Sequence, residues 1–167
     1  KSAGLTRSFG GAHFKPEHLD AIEGAAPSVD QIEMHPSFNQ ATFRAELAER
    51  GINPEAWSPL GQSKDLDNPV LTDISKATGK TPAQVVIRWH LQIGNIVFPK
   101  SVTPSRIVEN FDVFDFELSD EQIAASHCLD HGNRLGGDPS TAAFGVCDSA
   151  RSSLGPGNAG GGATRLA

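Results

Sequence analysis

The stretch NIVFPKSVTPSRIVENF, residues 95–111, contains the pattern that decides the fold. Its first four residues, Asn95 followed by three apolar residues, have the length of a strand. Thr103 followed by Pro104 is typical of the cap and the first position of a helix, so a helix is predicted to begin soon after the strand. A strand followed at once by a helix is one βα unit, and repeated units of this kind predict an α/β protein with a parallel sheet.

Three earlier segments of the chain repeat this alternation. Strands are predicted at residues 5–10, 29–34 and 52–58. Helices are predicted from Pro16, near residues 41–50, at 70–78, from Pro82 after the cap Thr81, and after the cap Ser119. Pro54 cannot donate a backbone hydrogen bond and weakens the start of the third strand. Four βα units of about 30 residues amount to half of an eightfold barrel, and an open α/β sheet of four strands satisfies the same spacing.

The composition limits the classes of function. The 167 residues are 38% hydrophobic, which suffices for the core of one domain, and their net charge is −6. An acidic chain without a basic patch is not expected to bind nucleic acid. Because no apolar run approaches the roughly 20 residues of a membrane span, no membrane partner and a cytoplasmic location are predicted. The cysteines and histidines lack the spacing of a metal site, so no metal is predicted.

The alternation of strands and helices ends before the C-terminus. Residues 1–141 are predicted to form one domain. Residues 142–167 are rich in Gly and Ser and are predicted to be a disordered tail, because such a composition cannot bury a core.

Polar residues follow the predicted strands at their carboxyl ends, where parallel α/β proteins bind ligands. Lys100 and Ser101 stand before a predicted helix whose free N–H groups suit a phosphate. Arg106 and Asn110 are four residues apart and share one helix face. The loop at 58–61 offers a second anion site. Two anion sites on neighbouring strands indicate a cofactor that contains a pyrophosphate.

Each of these patterns also has a plainer interpretation. Arg106 with Glu109 fits a solvated helix face, and Trp57 fits a core position in its strand. His35 and His90 are each alone on their elements, and both are expected to be hydrogen-bonded, partly buried histidines rather than metal ligands.

Five motifs resemble the aldo-keto reductase family. They are GLTRSFG at 4–10, DQIEMHP at 30–36, EAWSPLG at 55–61, KTPAQVVIRW at 80–89 and FPKSVTPSRIVENF at 98–111. The resemblance extends over residues 4–141 and is to the C-terminal half of the family, in particular to its bacterial 2,5-diketo-gluconate reductases. It implies strands five to eight of a TIM (β/α)8 barrel. It also implies a fragment of an NADPH-dependent oxidoreductase that reduces small-molecule carbonyl substrates, aldehydes and ketones, to alcohols.

The resemblance implies a site for the nicotinamide and the pyrophosphate of NADP(H). Gln31 corresponds to the residue that hydrogen-bonds the nicotinamide carboxamide, and Trp57 to the aromatic residue on which the nicotinamide ring stacks. The pyrophosphate loop corresponds to Ser58, Leu60 and Gly61.

The resemblance also implies a site for the other end of the cofactor. Lys100, Ser101 and Arg106 correspond to the group that grips the 2′-phosphate of NADPH. Asn110 corresponds to a residue beside the adenine, and Glu109 is a further candidate there. A guanidinium and an ammonium near one phosphate dianion favour NADPH over NADH.

The chain departs from the family in the residues around the nicotinamide. Ala12 and His13 stand where the family has Ser-Asn, and Ala12 has no side chain to hold the carboxamide. Ser37 stands where the family has an aromatic residue. The family's catalytic Asp, Tyr, Lys and His belong to strands two to four, which the resemblance does not cover, and the chain has no Tyr. No catalytic residue is therefore predicted here, and the isolated chain is not expected to reduce a carbonyl.

Two other interpretations of the same sequence stay open. The chain can be a non-catalytic half-barrel that serves as a binding or assembly module. Its open sheet edges and uncovered apolar interior would then favour self-association. It can also be a degenerate pseudogene product without a function.

Overall fold

The computed structural model describes residues 4–141, and the predicted disordered tail at 142–167 lies outside the described residues. Strands alternate with helices in the first half of the described chain, and helices follow in the second half. The elements are β1 (Gly10–Ala12), α1 (Pro16–Asp20), β2 (Val29–Glu33), α2 (Ala41–Glu49), β3 (Asn53–Trp57), a 3-10 helix (Gly61–Ser63), α3 (Pro69–Thr78), α4 (Pro82–Gln92), α5 (Pro104–Phe111) and α6 (Asp120–His127).

The strands form a parallel sheet in the order β1-β2-β3. Gln31 on the central strand lies opposite Ala12 on β1 and opposite Glu55 on β3. The α/β class and the parallel sheet predicted from the sequence are therefore confirmed.

The predicted fourth strand, at 95–98, is wrong as a strand. This segment makes a single parallel bridge, between Glu55 and Ile96. The Ile96 N–H donates to the Pro54 carbonyl at 2.9 Å, and the Ala56 N–H donates to the Ile96 carbonyl at 2.9 Å. Among the described residues no further backbone hydrogen bond joins residues 97–99 to β3, and the chain leaves the extended conformation directly after β3, where Ser58 has a φ of +54°. The described sheet thus has three strands rather than four.

The first predicted strand, at 5–10, is also misplaced, since β1 begins where that prediction ends. Two glycines open β1, and a Cβ on Gly11 would lie 2.6 Å from Cδ2 of Phe14. This close approach requires glycine, whereas strand propensity disfavours it. The local pattern therefore placed the strand too early.

Two apolar clusters form the core. The sheet packs against α1 and α2 through Leu19, Ile32, Met34, Leu47, Ile52 and Ala56. Helices α3, α4 and α6 meet around Leu71, Ile74, Val85, Val86, Trp89, Leu118 and Leu129.

The helix starts largely follow the predicted caps. Thr81 and Gln84 form a reciprocal capping box at α4, and Ser119 and Gln122 form another at α6. Thr103 occupies the cap position of α5, as predicted, but its side chain makes no capping hydrogen bond. The first turn of α5 therefore has no side-chain cap among the described residues.

One face of the described chain is apolar and exposed. Helix α5 buries none of its residues, and the exposed side chains there and beside it are Phe98, Ile107, Val108, Phe111 and Phe114. We call these five residues the apolar face. Within residues 4–141, no helix is long and apolar enough to cross a membrane.

Candidate functional site

Two neighbouring cavities lie beyond the carboxyl end of β3. The first, which we call the α4–α5 cavity, has a volume of about 640 Å³ and lies beside the first residues of α4 and α5. The second, the Trp57 cavity, has a volume of about 430 Å³ and includes the last residues of β3 and the loop after it. Leu60, Ser63 and Lys100 line both cavities, which therefore adjoin.

Nine of the ten predicted cofactor residues line these cavities, so residues far apart in the sequence share one region of the structure. The α4–α5 cavity is lined by Leu60, Lys100, Ser101, Arg106, Glu109 and Asn110. The Trp57 cavity is lined by Gln31, Trp57, Ser58, Leu60 and Lys100. The tenth, Gly61, is buried and lines neither cavity. The role of each residue stays a prediction.

The α4–α5 cavity has the chemistry of a phosphate site. Lys100 and Arg106 are exposed, and neither forms an ion pair with another residue of the described chain. The N-terminus of α5 adds N–H groups that no side chain caps, together with the positive end of the helix dipole. Free cationic side chains beside an uncapped helix start fit a phosphate dianion.

Glu109 lies in the same cavity, but its carboxylate is held by α4. The Thr81 hydroxyl donates to Glu109 Oε1 at 2.6 Å, and the Gln84 side-chain amide donates to the Glu109 carbonyl at 3.1 Å. These bonds tie the end of α5 to the start of α4. No ion pair joins Glu109 to Arg106 among the described contacts, although the two share a helix. The arrangement therefore leaves the guanidinium available to a ligand.

The loop after β3 has an unusual backbone. Ser58, Gln62 and Ser63 have positive φ angles, as does Gly61 at +55°. A Cβ on Gly61 would lie 2.8 Å from Asp65 Oδ2, so this position requires glycine for both conformation and space.

A buried histidine forms a hydrogen bond to the backbone of this loop. His90 is fully buried, and its Nε2 lies 3.0 Å from the Pro59 carbonyl while its Nδ1 lies 3.0 Å from the Asn95 side-chain nitrogen. Nε2 therefore carries the proton and donates to Pro59, and Nδ1 accepts from Asn95. Burial lowers the pKa of His90 to about 3, so the ring is neutral. The expected hydrogen-bonded histidine is found, although it is fully rather than partly buried.

The Trp57 cavity is built around an indole ring at the end of β3. His13 packs against Trp57 edge-to-face, with ring centroids 5.4 Å apart. Burial and the nearby Arg134 charge lower the pKa of His13, which favours its neutral form. The Gln31 side-chain amide donates to Glu55 Oε1, on the neighbouring strand. This bond fixes the Gln31 side chain across the sheet.

An ionic cluster that the sequence did not predict lies beneath the end of β2. His35 is fully buried, with Nε2 at 3.2 Å from Glu33 Oε1 and Nδ1 at 3.1 Å from Asp65 Oδ2. Burial disfavours the charged imidazolium, but the hydrogen bonds to Asp65 and Glu33 outweigh it, so the pKa of His35 is raised. Glu33 and His35 are two apart on an extended segment, which is a weak signal for a shared face. Asp65 comes from a loop and had no signal in the sequence.

Comparison with known proteins identifies the family of this chain. This chain belongs to the aldo/keto reductase family, whose model matches residues 1–130. It is 53% identical over 147 residues to an aldo-keto reductase of Mycolicibacterium smegmatis, a match that covers 86% of this chain and 54% of that protein. It is 47% identical over 141 residues to the methylglyoxal reductase DkgA of Escherichia coli, which covers 81% of this chain and 51% of that protein.

Solved structures give the same result. The chain matches the apo form of Gox0644 with a TM-score of 0.84 and 44% identity, over 86% of this chain and 55% of that chain. It matches a Gox0644 variant in complex with NADPH with a TM-score of 0.83 and 44% identity. These neighbours imply an α/β TIM-barrel fold. The chain spans about half the length of the curated relatives that it matches.

Proposed function

We propose that this chain binds NADP(H), with the adenosine 2′-phosphate in the α4–α5 cavity and the nicotinamide against Trp57. One observation carries the proposal: nine of the ten predicted cofactor residues line two adjoining cavities, which share Leu60 and Lys100. The match to the NADPH complex of a Gox0644 variant supports the same assignment.

The residues of the α4–α5 cavity would bind the phosphate end. The Arg106 guanidinium and the Lys100 ammonium would neutralise the 2′-phosphate, with Ser101 beside them. Asn110 and Glu109 lie at the same cavity and would flank the adenine. Because NADH has no 2′-phosphate, these cations would select NADPH.

The residues of the Trp57 cavity would bind the reactive end. Ser58 and Leu60, with Gly61 beneath them, form the loop that would approach the pyrophosphate. Trp57 would stack on the nicotinamide, and Gln31 would hold its carboxamide. A bound nicotinamide supplies hydride chemistry.

The complete reaction that we infer is NADPH-dependent reduction of small aldehydes and ketones to alcohols, with this chain corresponding to strands five to eight of the barrel. Reduction of a carbonyl also needs an acid that protonates its oxygen. The chain has no Tyr, so it does not itself supply the acid that the family uses. Cofactor binding without turnover is the behaviour we expect of the isolated chain.

Fluorescence titration tests the proposal. NADPH is expected to quench Trp57, while a Trp57→Phe variant retains only the buried Trp89 and loses the quenching. Arg106→Ala is expected to weaken NADPH binding by at least about 10-fold and to leave NADH binding unchanged. The matched control is Arg50→Ala, because Arg50 pairs with Asp20 at 2.7 Å and lines neither cavity. Absence of quenching, or equal losses for both nucleotides, would refute the proposal.

A second candidate function, assembly through the apolar face, is favoured by the exposure of that face. Phe111 is 75% exposed and Phe114 is 65% exposed. Their rings pack edge-to-face, with ring centroids 5.6 Å apart. Exposed apolar patches of this kind mark interaction sites. We infer that the chain self-associates through this face.

Light scattering of the purified chain tests the assembly. The wild-type chain is expected to be larger than a monomer, and Phe111→Lys is expected to restore the monomer. Ala48→Lys introduces the same charge at an exposed position of α2 and should leave the assembly intact. A monomeric wild-type chain would exclude this function.

A further inference from the structure

The Glu33 carboxylate binds a segment about a hundred residues further along the chain. Glu33 ends β2, and its side chain is 1% exposed. The backbone N–H of Leu135 donates to Oε1, and the backbone N–H of Gly136 donates to Oε2 at 2.9 Å. Arg134 Nη1 lies 3.8 Å from the same carboxylate. Consecutive donors on one buried carboxylate form a strong, charge-assisted clamp.

The clamped segment is held at both ends. We call residues 134–138 the strap. The Arg134 guanidinium lies over the Phe38 ring at 4.7 Å, and Asp138 pairs with Lys15 at 2.6 Å. The strap thus connects the region after β2 with the region after β1.

The strap also contacts the indole of the Trp57 cavity. A Cβ on Gly136 would lie 2.9 Å from Glu33 Oε2, 3.1 Å from Cζ3 of Trp57 and 3.3 Å from Cη2 of Trp57. Gly136 therefore fits between the carboxylate and the ring, with no room for a side chain. His13 packs edge-to-face on the same indole. The ring of Trp57 is thus bordered by His13 and by the strap.

The carboxylate and the strap depend on each other. A buried carboxylate is costly without donors, and the strap supplies two backbone N–H groups and a guanidinium. The strap, in turn, has no helix or strand of its own to order it between 134 and 138. Without Glu33, its contact with Trp57 would lose its main polar support.

We propose that Glu33 is a positioning residue for the nicotinamide site: its carboxylate fastens the strap against Trp57, and the strap fixes the orientation of the ring. The proposal rests on the proposed function where it assigns the nicotinamide to Trp57. The clamp itself is independent of any cofactor, which allows the two to be tested separately.

Hydrogen exchange measures the clamp directly. In Glu33→Gln the side-chain amide keeps one acceptor oxygen, but its NH2 group cannot accept from the second backbone N–H. The Leu135 and Gly136 amides are expected to exchange at least about 10-fold faster, while the amides of α4 are unchanged. The matched control is Asp65→Asn, which removes the other carboxylate from His35 and has no described contact with the strap. Equal acceleration in both variants, or none in Glu33→Gln, would overturn the proposal.

Ligand binding separates positioning from a general structural effect. Glu33→Gln is expected to weaken NADPH binding by at least about 3-fold while leaving the affinity for adenosine 2′,5′-bisphosphate, which has no nicotinamide, unchanged. Gly136→Ala is also expected to weaken NADPH binding and to leave the affinity for the bisphosphate unchanged, because its methyl group would press on Trp57. Gly137→Ala, at the exposed neighbouring position, is its control. Equal losses for both ligands would overturn the positioning role. Failure of the wild-type chain to bind NADPH would refute the proposed function, and the exchange comparison would still decide whether Glu33 fastens the strap.

Discussion

Replacement of Asp30 by Asn is expected to stabilise the protein, and to do so more at pH 8 than at pH 5. Asp30 lies in β2 and is 0% exposed. Its Oδ1 accepts a long hydrogen bond of 3.4 Å from the Phe14 N–H, and its Oδ2 has no hydrogen-bond partner among the described residues. Burial raises the pKa of Asp30 from 3.8 to about 6, because the charged form loses water and gains little in return.

The sign of the effect follows from the two pKa values of Asp30. Because the folded pKa is the higher one, the contribution of Asp30 to stability is fully present below pH 3.8 and is lost as the pH rises through about 6. The difference corresponds to about 3 kcal/mol of destabilisation once the carboxylate is ionised in both states. Between pH 5 and pH 8 the cost grows by about 1 kcal/mol. Asn cannot ionise, so Asp30→Asn avoids this cost.

Urea unfolding of the wild-type chain and Asp30→Asn at both pH values provides the assay. The advantage of the variant in free energy of unfolding should be about 1 kcal/mol larger at pH 8 than at pH 5. Asp67→Asn changes an exposed aspartate and should have little effect at either pH. An advantage that does not change with pH would refute the argument that burial of an unpaired carboxylate sets the stability at this position.

Three further predictions concern stability. Asp65→Asn removes a carboxylate that raises the pKa of His35. The contribution of His35 to stability is fully present below about pH 6.5 and is lost as the pH rises through the folded pKa. Urea unfolding should therefore show a larger loss in free energy of unfolding at pH 6 than at pH 9. Gly61→Ala should lower the free energy of unfolding by about 1–2 kcal/mol and by more than Gly79→Ala, because both positions have positive φ but a Cβ at Gly79 meets nothing within 4 Å. Leu47→Ala should cost about 2–5 kcal/mol in urea unfolding, since Leu47 is 0% exposed in the core beside the sheet.

Local sequence signals predicted the helices well. Thr81 with Pro82 and Ser119 with its acidic first turn are caps whose hydrogen bonds form within a few residues, so the sequence alone specifies them. Helix α5 begins where Pro104 predicts, although the Thr103 side chain does not cap it. Short-range chemistry thus located these helix starts even where one of the expected bonds is absent.

Strand pairing was harder to predict because it depends on a distant partner. Residues 95–98 have the composition of a strand, but among them only Ile96 pairs with β3. β1 contains two glycines, of which Gly11 lies against the Phe14 ring, and strand propensity does not favour glycine. Nine of the ten residues that the family resemblance predicts for the cofactor line two adjoining cavities, because strand ends and helix starts meet at one edge of a parallel sheet.

The ionic contacts beneath the candidate site could not be predicted. Glu33 and His35 are close in sequence, but their partners Asp65 and Arg134 come from loops about 30 and 100 residues away. No periodic pattern relates such positions. Only the folded backbone shows that a buried carboxylate fastens the strap beside Trp57.

The assignment of the α4–α5 cavity to the 2′-phosphate end of NADP(H) is tested most directly by calorimetric titration of the chain with adenosine 2′,5′-bisphosphate and with adenosine 5′-phosphate. The cations Lys100 and Arg106 predict that the bisphosphate binds at least about 10-fold more tightly, and that raising the salt concentration weakens it. Equal affinity for the two nucleotides, or no binding of the bisphosphate, would contradict the assignment.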